Sequence, residues 1–290
     1  MTTAERLPAR AARRCHSPLN ALHATVYFSP EIYKELGALG ITHPRAVNLA
    51  TRTAAFGPVG AGLVTAAFYN YKHEAIAEHI PGIWELASPA DVVAARLRAA
   101  EATLRRLLGE ETVASSELAE AARLALRATE ACSRGGRPLY AAHADLPVPE
   151  TPLPALWYAA TLLREHRGDG HVMALVRAGL DPVEALVSHS ATGRGMSREW
   201  IMKTRGWNEA ELDAGYARLR ERGLLDAEGK LTEAGTALRE EVEDETDRLD
   251  LAPYEHLGAE GVARLTELAG AFATAVATAG AFPADLLGTA

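Results

Sequence analysis

The sequence predicts a mainly α-helical protein, with an N-terminal helical domain and a C-terminal winged-helix-like domain that carries a small β-hairpin. Three observations lead to this prediction. Apolar residues make up 48% of the chain and aromatic residues only 6%, and much of the apolar share is Ala and Leu, which are strong helix formers. Capping residues precede several apolar-periodic segments. Two short apolar segments around a Glu-Gly turn, at 224–231, have the form of a hairpin.

The first half of the chain is predicted to consist of helices separated by glycine and proline. Residues 1–18 contain four arginines without an apolar core behind them, so we expect a flexible N-terminus rather than a secretory signal. Ser88 caps an amphipathic helix over 90–108, and another helix covers 116–132. Residues 19–144 therefore form the predicted helical domain.

A proline-rich stretch divides the chain. Residues 145–154 hold four prolines in ten positions, and proline removes backbone donors and favours extended chain. This stretch is the predicted linker, and 155–290 is the predicted winged-helix-like domain with C-terminal helices. No apolar segment reaches the length that a membrane-spanning helix needs.

Beyond the linker, helix, turn, helix, hairpin and helix follow in the order of a winged helix. The predicted elements are a helix over 198–204 capped by Ser197, a turn at Gly206, a helix over 209–222 capped by Asn208, the hairpin, and a helix over 236–249. The phrase RGLLDAEGKLTEAG joins the hairpin to both neighbouring helices. Through it, residues 155–250 resemble the winged-helix regulators related to the multiple-antibiotic-resistance (MarR) repressors.

Other phrases are spread over most of the chain: LHATVYF at 22–28, FGPVGAGLVTAAFYN at 56–70 and LLREHRGDGHVMALV at 162–176. Through these phrases the whole chain resembles an actinobacterial family with a C-terminal helix-turn-helix-like domain. The resemblance implies a setting in actinobacterial specialised metabolism or self-resistance. It implies no particular reaction.

The most site-like residues form the polar run Glu165-His166-Arg167-Gly168-Asp169-Gly170-His171. It places several strongly polar groups between apolar helical stretches, and polar groups that enter a core must be hydrogen-bonded. One interpretation is a helix junction, in which the two glycines form a turn, Asp169 caps the next helix and Arg167 pairs with Glu165. The other is a functional site.

In a functional site, Asp169 would orient a histidine, Glu165 or His171 would transfer protons, and Arg167 would hold an anionic group. The predicted catalytic residues are therefore Glu165, Asp169 and His171. A metal site is less favoured, because His166 and His171 are five positions apart and no further ligand completes a known spacing. We expect no metal and no cofactor.

Other residues are candidates for lining a pocket with the polar run. His23 lies in an apolar helix, where the alternative is a hydrogen-bonded core histidine. Arg52 precedes a glycine-rich stretch, and Tyr69 ends a small-residue helix, where the alternatives are a surface ion pair and a simple helix end. The predicted substrate-binding residues are His23, Arg52, Tyr69, His166 and Arg167.

The charge pattern argues against a DNA partner. Glu209, Glu211 and Asp213 occupy the first turn of the presumptive recognition helix, and 197–250 contains nine basic and fifteen acidic residues. Acidic residues stabilise a helix start, but they also repel phosphate. DNA binding is therefore not expected from the sequence, and the winged helix is interpreted as a structural or dimer-forming module.

The leading functional hypothesis is a small-molecule-binding protein acting as a cofactor-independent acid–base enzyme. The alternative is a ligand-responsive MarR-like transcription regulator, and a third possibility is a structural or dimerisation protein. Cys15 and Cys132 have no metal or disulfide spacing, which suits a reducing cytoplasm. We expect a small-molecule ligand, no membrane association and a homodimer.

Overall fold

A computed structural model describes residues 7–283, and the regular structure in this range is helical. None of its helices is long and apolar enough to cross a membrane. Two 3-10 turns lie at Thr25–Phe28 and Ala54–Phe56. The α-helices within 7–283 are α1 Ala9–Ala24, α2 Pro30–Gly37, α3 Pro44–Thr53, α4 Ala61–Phe68, α5 His73–Ala77, α6 Ile83–Leu86, α7 Pro89–Val113, α8 Ser116–Thr129, α9 Pro138–His143, α10 Pro152–Arg177, α11 Pro182–Ser190, α12 Arg198–Arg205, α13 Glu209–Glu221, α14 Glu233–Leu249 and α15 Ala252–Thr278. The prediction of a mainly α-helical protein is confirmed.

Capping residues fix where several of these helices begin. The Ser88 and Ser197 hydroxyls accept backbone N–H groups in the first turns of α7 and α12. Asp181 and Asn208 start α11 and α13 with full capping boxes, in which the side chain three positions later bonds back to the cap's own N–H. Because a helix leaves its first N–H groups unpaired, these contacts specify its first residue.

The predicted β-hairpin is reduced to a single bridge. Leu225 and Leu231 form an isolated antiparallel bridge, and the Asp226 N–H donates to the Lys230 carbonyl over 2.9 Å. No longer strand occurs between residues 7 and 283. The turn between Asp226 and Lys230, with Gly229 at φ +81°, uses most of the segment and leaves too few residues for a ladder. The predicted hairpin is therefore not supported in this part of the chain.

The polar run lies inside a continuous helix, so the predicted turn at 168–170 is wrong. α10 passes through it without a break, and Gly170 serves close packing instead. A methyl group there would lie 2.8 Å from Arg137 Nη1 and 3.3 Å from Leu249 Cβ. Arg137 uses this space to donate to the carbonyls of His166 and Leu249, which ties α10 to the end of α14.

Besides a small group of Tyr140, Tyr158 and Leu162, two clusters of buried apolar side chains form the core. The larger joins α1 to α8 with the first half of α10 and with α15, and the smaller joins the end of α10 to α11–α14. Leu163 belongs to the first cluster and Leu175 to the second. The clusters therefore do not follow the predicted domains 19–144 and 155–290, since α10 and α15 contribute to the N-terminal cluster.

The ends of the predicted segments also differ from the structure. Helix α1 starts at Ala9, within the segment predicted to be flexible, and buries Cys15 against the larger cluster. Arg13 is held 2.8 Å from the carboxylate of Asp247. Residues 1–6 lie outside the described range. The proline-rich linker is irregular from 145 to 151, but its last prolines begin α10.

Candidate functional site

Side chains of the polar run point to different neighbours, because successive residues of a helix are separated by about 100°. Glu165 and Asp169, one turn apart, are both on the side of α9. His166 and Arg167 contact the end of α14, and His171 contacts α14 one turn earlier. The run therefore contributes to separate contacts instead of converging on one cavity.

Glu165 is buried among positive charges. Its side chain is 1% exposed and forms an ion pair with Arg164 of the same helix. Burial raises the pKa of this carboxyl, but the charges of Arg164, Arg52 and other cations nearby lower it to about 2. Glu165 is therefore ionised at neutral pH and is better suited to balancing charge than to transferring protons.

Asp169 borders a cavity of about 410 Å³ that apolar residues such as Val172 and Met173 line. Its Oδ2 accepts the Tyr140 N–H over 2.9 Å. Burial raises the pKa of Asp169 to about 7, against the opposing hydrogen bond from Tyr140. Of the predicted catalytic residues, this one has a pKa near neutrality.

His166 and Arg167 belong to a network between α1, α10 and α14. His166 Nδ1 lies 2.8 Å from Asp250 Oδ1, and Arg167 Nη1 lies 2.8 Å from Asp247 Oδ1. Arg13 of α1 completes the network at Asp247. Burial raises the pKa of Asp250, while the hydrogen bond from His166 opposes it. These are contacts of a structural network, and ligand binding by His166 and Arg167 stays a prediction.

His171 is neutral and hydrogen-bonded. The Thr246 hydroxyl donates to the Val242 carbonyl, so the His171 Nδ1–H donates to the Thr246 oxygen over 2.9 Å. Burial is the main reason that the pKa of His171 is lowered to about 4. Proton transfer by His171 near pH 7 would therefore need a large change in its surroundings.

His23 is a fully buried histidine with both ring nitrogens in use. Thr161 donates to the Trp157 carbonyl, so His23 Nδ1–H donates to Thr161, and His23 Nε2 accepts from Tyr27. The ring stacks on Trp157 with centroids 5.4 Å apart. Burial lowers the pKa of His23 well below its ordinary value. These contacts are those of a hydrogen-bonded core histidine.

Arg52 and Tyr69 lie in different surroundings. The Arg52 guanidinium lies 4.1 Å above the Phe68 ring, and its buried Nε has no hydrogen-bond partner. Its positive charge is one of those that lower the pKa of the Glu165 carboxyl. The Tyr69 hydroxyl donates to the Leu180 carbonyl over 2.5 Å, ahead of α11. Tyr69 therefore links the N-terminal half to the C-terminal helices.

The helix pair α12–α13 is docked on the segment that follows Tyr69. The Lys72 N–H donates to the Arg205 carbonyl, and the Trp207 indole donates to the Asn70 carbonyl, each over 2.9 Å. Both contacts lie at the turn between the two helices. The position of the pair is thus specified by backbone groups of the N-terminal half.

Gly206 makes this close docking possible. Its φ of +84° ends α12 in the left-handed region, which favours glycine. A methyl group at this position would lie 2.3 Å from the Ala75 Cβ. The turn of the helix pair therefore needs a glycine both for its backbone and for its contact.

Two of the three carboxylates at the start of α13 are closely paired, and the third, Glu209, is 78% exposed and lies 3.8 Å from Arg198. Glu211 closes the capping box with Asn208 and pairs with Lys72 Nζ at 2.5 Å, while Asp213 pairs with Arg198 at 2.7 Å. The acidic excess lies elsewhere: residues 197–232 hold seven basic and seven acidic residues, and eight further acidic residues lie at 233–250. The net acidic excess therefore lies on α14, whereas residues 197–232 carry no net charge.

Sequence reasoning missed several buried charged residues, including Arg96, Arg137 and Asp250. One signal existed for Arg96, which lies on the apolar face of α7 between the buried residues Val92, Ala95 and Ala99. A charge at such a position needs a partner. The identity of the partner depends on tertiary contacts that the sequence does not show.

Comparison with known proteins identifies the architecture. A family model described as a helix-turn-helix family matches residues 12–283. No curated protein and no solved structure matches the chain significantly. Within residues 7–283, no group of three or more His, Cys, Asp or Glu side chains has the arrangement of a metal site.

Proposed function

The chain belongs to the helix-turn-helix family, and from this we propose that it is a DNA-binding transcription regulator whose N-terminal half binds a small-molecule effector. The family match carries this proposal, supported by the capped pair α12–α13 and the bridge that follows it. The sequence alone favours the acid–base enzyme over this regulator. A MarR-like homodimer, a cytoplasmic location and a setting in actinobacterial specialised metabolism or self-resistance are parts of the proposal.

The exposed face of α13 suits close approach to a duplex. It presents Ala210, Ala214 and Ala217 with Arg220 at its end, together with Asp213, which is paired with Arg198. The short alanine side chains let a helix enter a major groove of about 12 Å width. Lys203 and Lys230 are exposed on α12 and beside the turn after α13. Cations at these two positions can position a helix on the phosphate backbone.

The contacts do not favour the acid–base enzyme. Its three predicted catalytic residues have pKa values of about 2 for Glu165, about 7 for Asp169 and about 4 for His171. Glu165 and Asp169 are on the side of α9, whereas His171 is bound to Thr246 of α14. General acid–base catalysis needs the groups to meet at one reacting atom, which this arrangement does not provide.

The test is a fluorescence anisotropy titration of the full chain with duplex DNA from upstream of its own gene. We expect sequence-dependent binding that weakens with added salt. Exchanging Lys203 and Lys230 together for Glu should weaken binding by at least about tenfold, because two phosphate-facing cations become anions. The matched control exchanges Lys34 and Arg123 for Glu, which are exposed but lie away from the helix pair.

Equal losses in the two double variants would mean that binding follows net charge and not the helix pair. Binding to unrelated duplexes with the same Kd, or no binding near physiological salt, would contradict the regulator. Circular dichroism of each variant confirms that both retain the helical fold.

A further inference from the structure

Four arginines come from separate parts of the chain, and we call them the arginine cluster: Arg52 of α3, Arg96 of α7, Arg164 of α10 and Arg205 of α12. The first three lie around Glu165, and Arg205 lies beside Arg52. Burial lowers the pKa of both Arg96 and Arg205, and the charges of neighbouring cluster members lower it further. Geometry brings two of the groups together directly, because the central carbons of Arg52 and Arg205 lie 6.0 Å and 4.4 Å from the centroid of the same ring, that of Tyr71.

Each guanidinium of the cluster lies over an aromatic ring. The distances from its central carbon to the ring centroid are 4.1 Å for Arg52 on Phe68, 4.8 Å for Arg96 on Trp157, 5.9 Å for Arg164 on Tyr27 and 4.4 Å for Arg205 on Tyr71. Cation–π contacts stabilise an arginine without neutralising it. The rings therefore hold the four groups in place and leave their charge.

The cluster contains buried N–H groups without partners. Arg96 is 4% exposed, yet its Nε and Nη2 make no hydrogen bond, and the Nε atoms of Arg52 and Arg205 are also buried and unpaired. Arg96 Nη1 donates to His143 Nε2, a neutral acceptor. Buried donors are normally satisfied, so these atoms indicate a missing acceptor.

The charge of the cluster is also unbalanced. Within residues 7–283, Arg164 forms an ion pair with Glu165, and the other three arginines of the cluster form none. One carboxylate against four guanidinium groups leaves three positive charges. Buried charges are costly unless they are paired, and arginine forks match the geometry of carboxylate and phosphate oxygens.

We propose that the arginine cluster binds a small oxyanion with at least two negative charges, a phosphate ester or a polycarboxylate, in contact with Arg52 and Arg205. Such an anion supplies acceptors to their unpaired N–H groups and balances the excess charge. The bound anion would be the effector of the regulator, so the regulatory part of this inference rests on the proposed function.

The position of Arg205 gives the site its connection to the helix pair. Arg205 is the last residue of α12, next to the turn that docks on Lys72. Arg52, Arg96 and Arg164 belong to helices of the larger core. An anion between Arg52 and Arg205 joins the N-terminal helices to α12, so its presence changes how firmly the helix pair is held.

Binding is tested without DNA, by isothermal titration calorimetry and thermal melts in a low-chloride buffer. The probes are inorganic phosphate, pyrophosphate and citrate, with acetate as the singly charged control. We expect at least one multiply charged probe to bind and raise the Tm, with acetate giving no shift. Tighter binding of phosphate or pyrophosphate than of citrate identifies a phosphate ester as the ligand class. Tighter binding of citrate identifies a polycarboxylate. Failure of all three probes overturns the site.

The matching variant exchanges Arg52 and Arg205 together for Gln, and the control exchanges the exposed residues Arg98 and Arg123 for Gln. The first should weaken probe binding by at least about tenfold, because charged hydrogen bonds are lost, and the control should not. Without probe, the cluster variant should melt at the same or a higher temperature, since repulsion is relieved. Lower Tm with unchanged probe affinity would make the arginines purely structural and overturn the proposal.

The regulatory part is tested by repeating the anisotropy titration with the bound probe at constant ionic strength. The DNA Kd of wild type should change by at least about threefold, a coupling of ordinary size, and that of the cluster variant should not. Probe binding without any change in DNA affinity would overturn the coupling and leave the site standing. Absence of DNA binding would refute the proposed function alone, because the calorimetry judges the site independently.

Discussion

Replacing Asp169 with Asn should stabilise the protein at pH 8. Burial raises the pKa of this carboxyl from 3.8 to about 7, so its ionised form is disfavoured in the folded state. Asn removes the charge and keeps an oxygen that can accept the Tyr140 N–H. The exchange therefore separates the cost of the buried charge from the value of the hydrogen bond.

The magnitude follows from the linkage between protonation and folding. Each tenfold change in proton affinity corresponds to about 1.4 kcal/mol, so the ionised Asp169 costs at most roughly 4 kcal/mol. Below the unfolded pKa, near 4, both states bind the proton and the cost is absent. Between about pH 4 and pH 7 the unfolded state loses its proton first, so the contribution becomes progressively destabilising as the pH rises.

Urea titrations of wild type and Asp169→Asn at pH 5 and pH 8 test this reasoning. We expect the variant to gain roughly 2–4 kcal/mol in free energy of unfolding at pH 8 and clearly less at pH 5. Asp145→Asn is the control, because Asp145 is 76% exposed and paired with Arg134 at the surface. A variant that is less stable than wild type at pH 8, or a difference that does not change with pH, would refute the argument.

Three further outcomes are expected. Gly206→Ala should lower the free energy of unfolding by more than Gly223→Ala in urea titrations, since both glycines have positive φ but only Gly206 has a neighbour in the way; equal losses would exclude a steric contribution. Arg167→Ala should cost about 1–3 kcal/mol because Asp247 loses one of its two arginine partners and keeps Arg13, whereas the exposed Arg177→Ala should cost less than about 1 kcal/mol; equal small losses would contradict the buried network. Calorimetry should show a single transition because α10 enters both core clusters, and two resolved transitions would support the predicted domains instead.

Local sequence signals predicted most of the helical architecture. Ser88, Asp181, Ser197 and Asn208 are caps in the structure, and the helices they begin follow the predicted order. This succeeds because capping and apolar periodicity act within a few residues. The helix-turn-helix order could be predicted for the same reason, since it is a sequence of adjacent elements.

The failures concern positions where tertiary contacts override local preference. Gly168 and Gly170 suggested a turn, but α10 continues because its two ends pack in different clusters and Gly170 makes room for Arg137. The acidic residues of α14 were assigned to the DNA-facing surface, although Asp247 and Asp250 face α10. Neighbouring residues in the sequence determine neither how far a long helix continues nor which residue pairs with a buried charge.

The unkinked course of α10 has a mechanical consequence. Arg177 lies twelve positions beyond Glu165 on the same helix, which places it about 18 Å away along the axis. A stiff rod turns a small rotation at one end into a translation at the other, and a tilt of about 10° at Glu165 moves Arg177 by about 3 Å. A small tilt of α10 beside the arginine cluster therefore becomes a larger displacement at its C-terminal end, which packs against α11–α14. No residue between the two ends has to change its conformation.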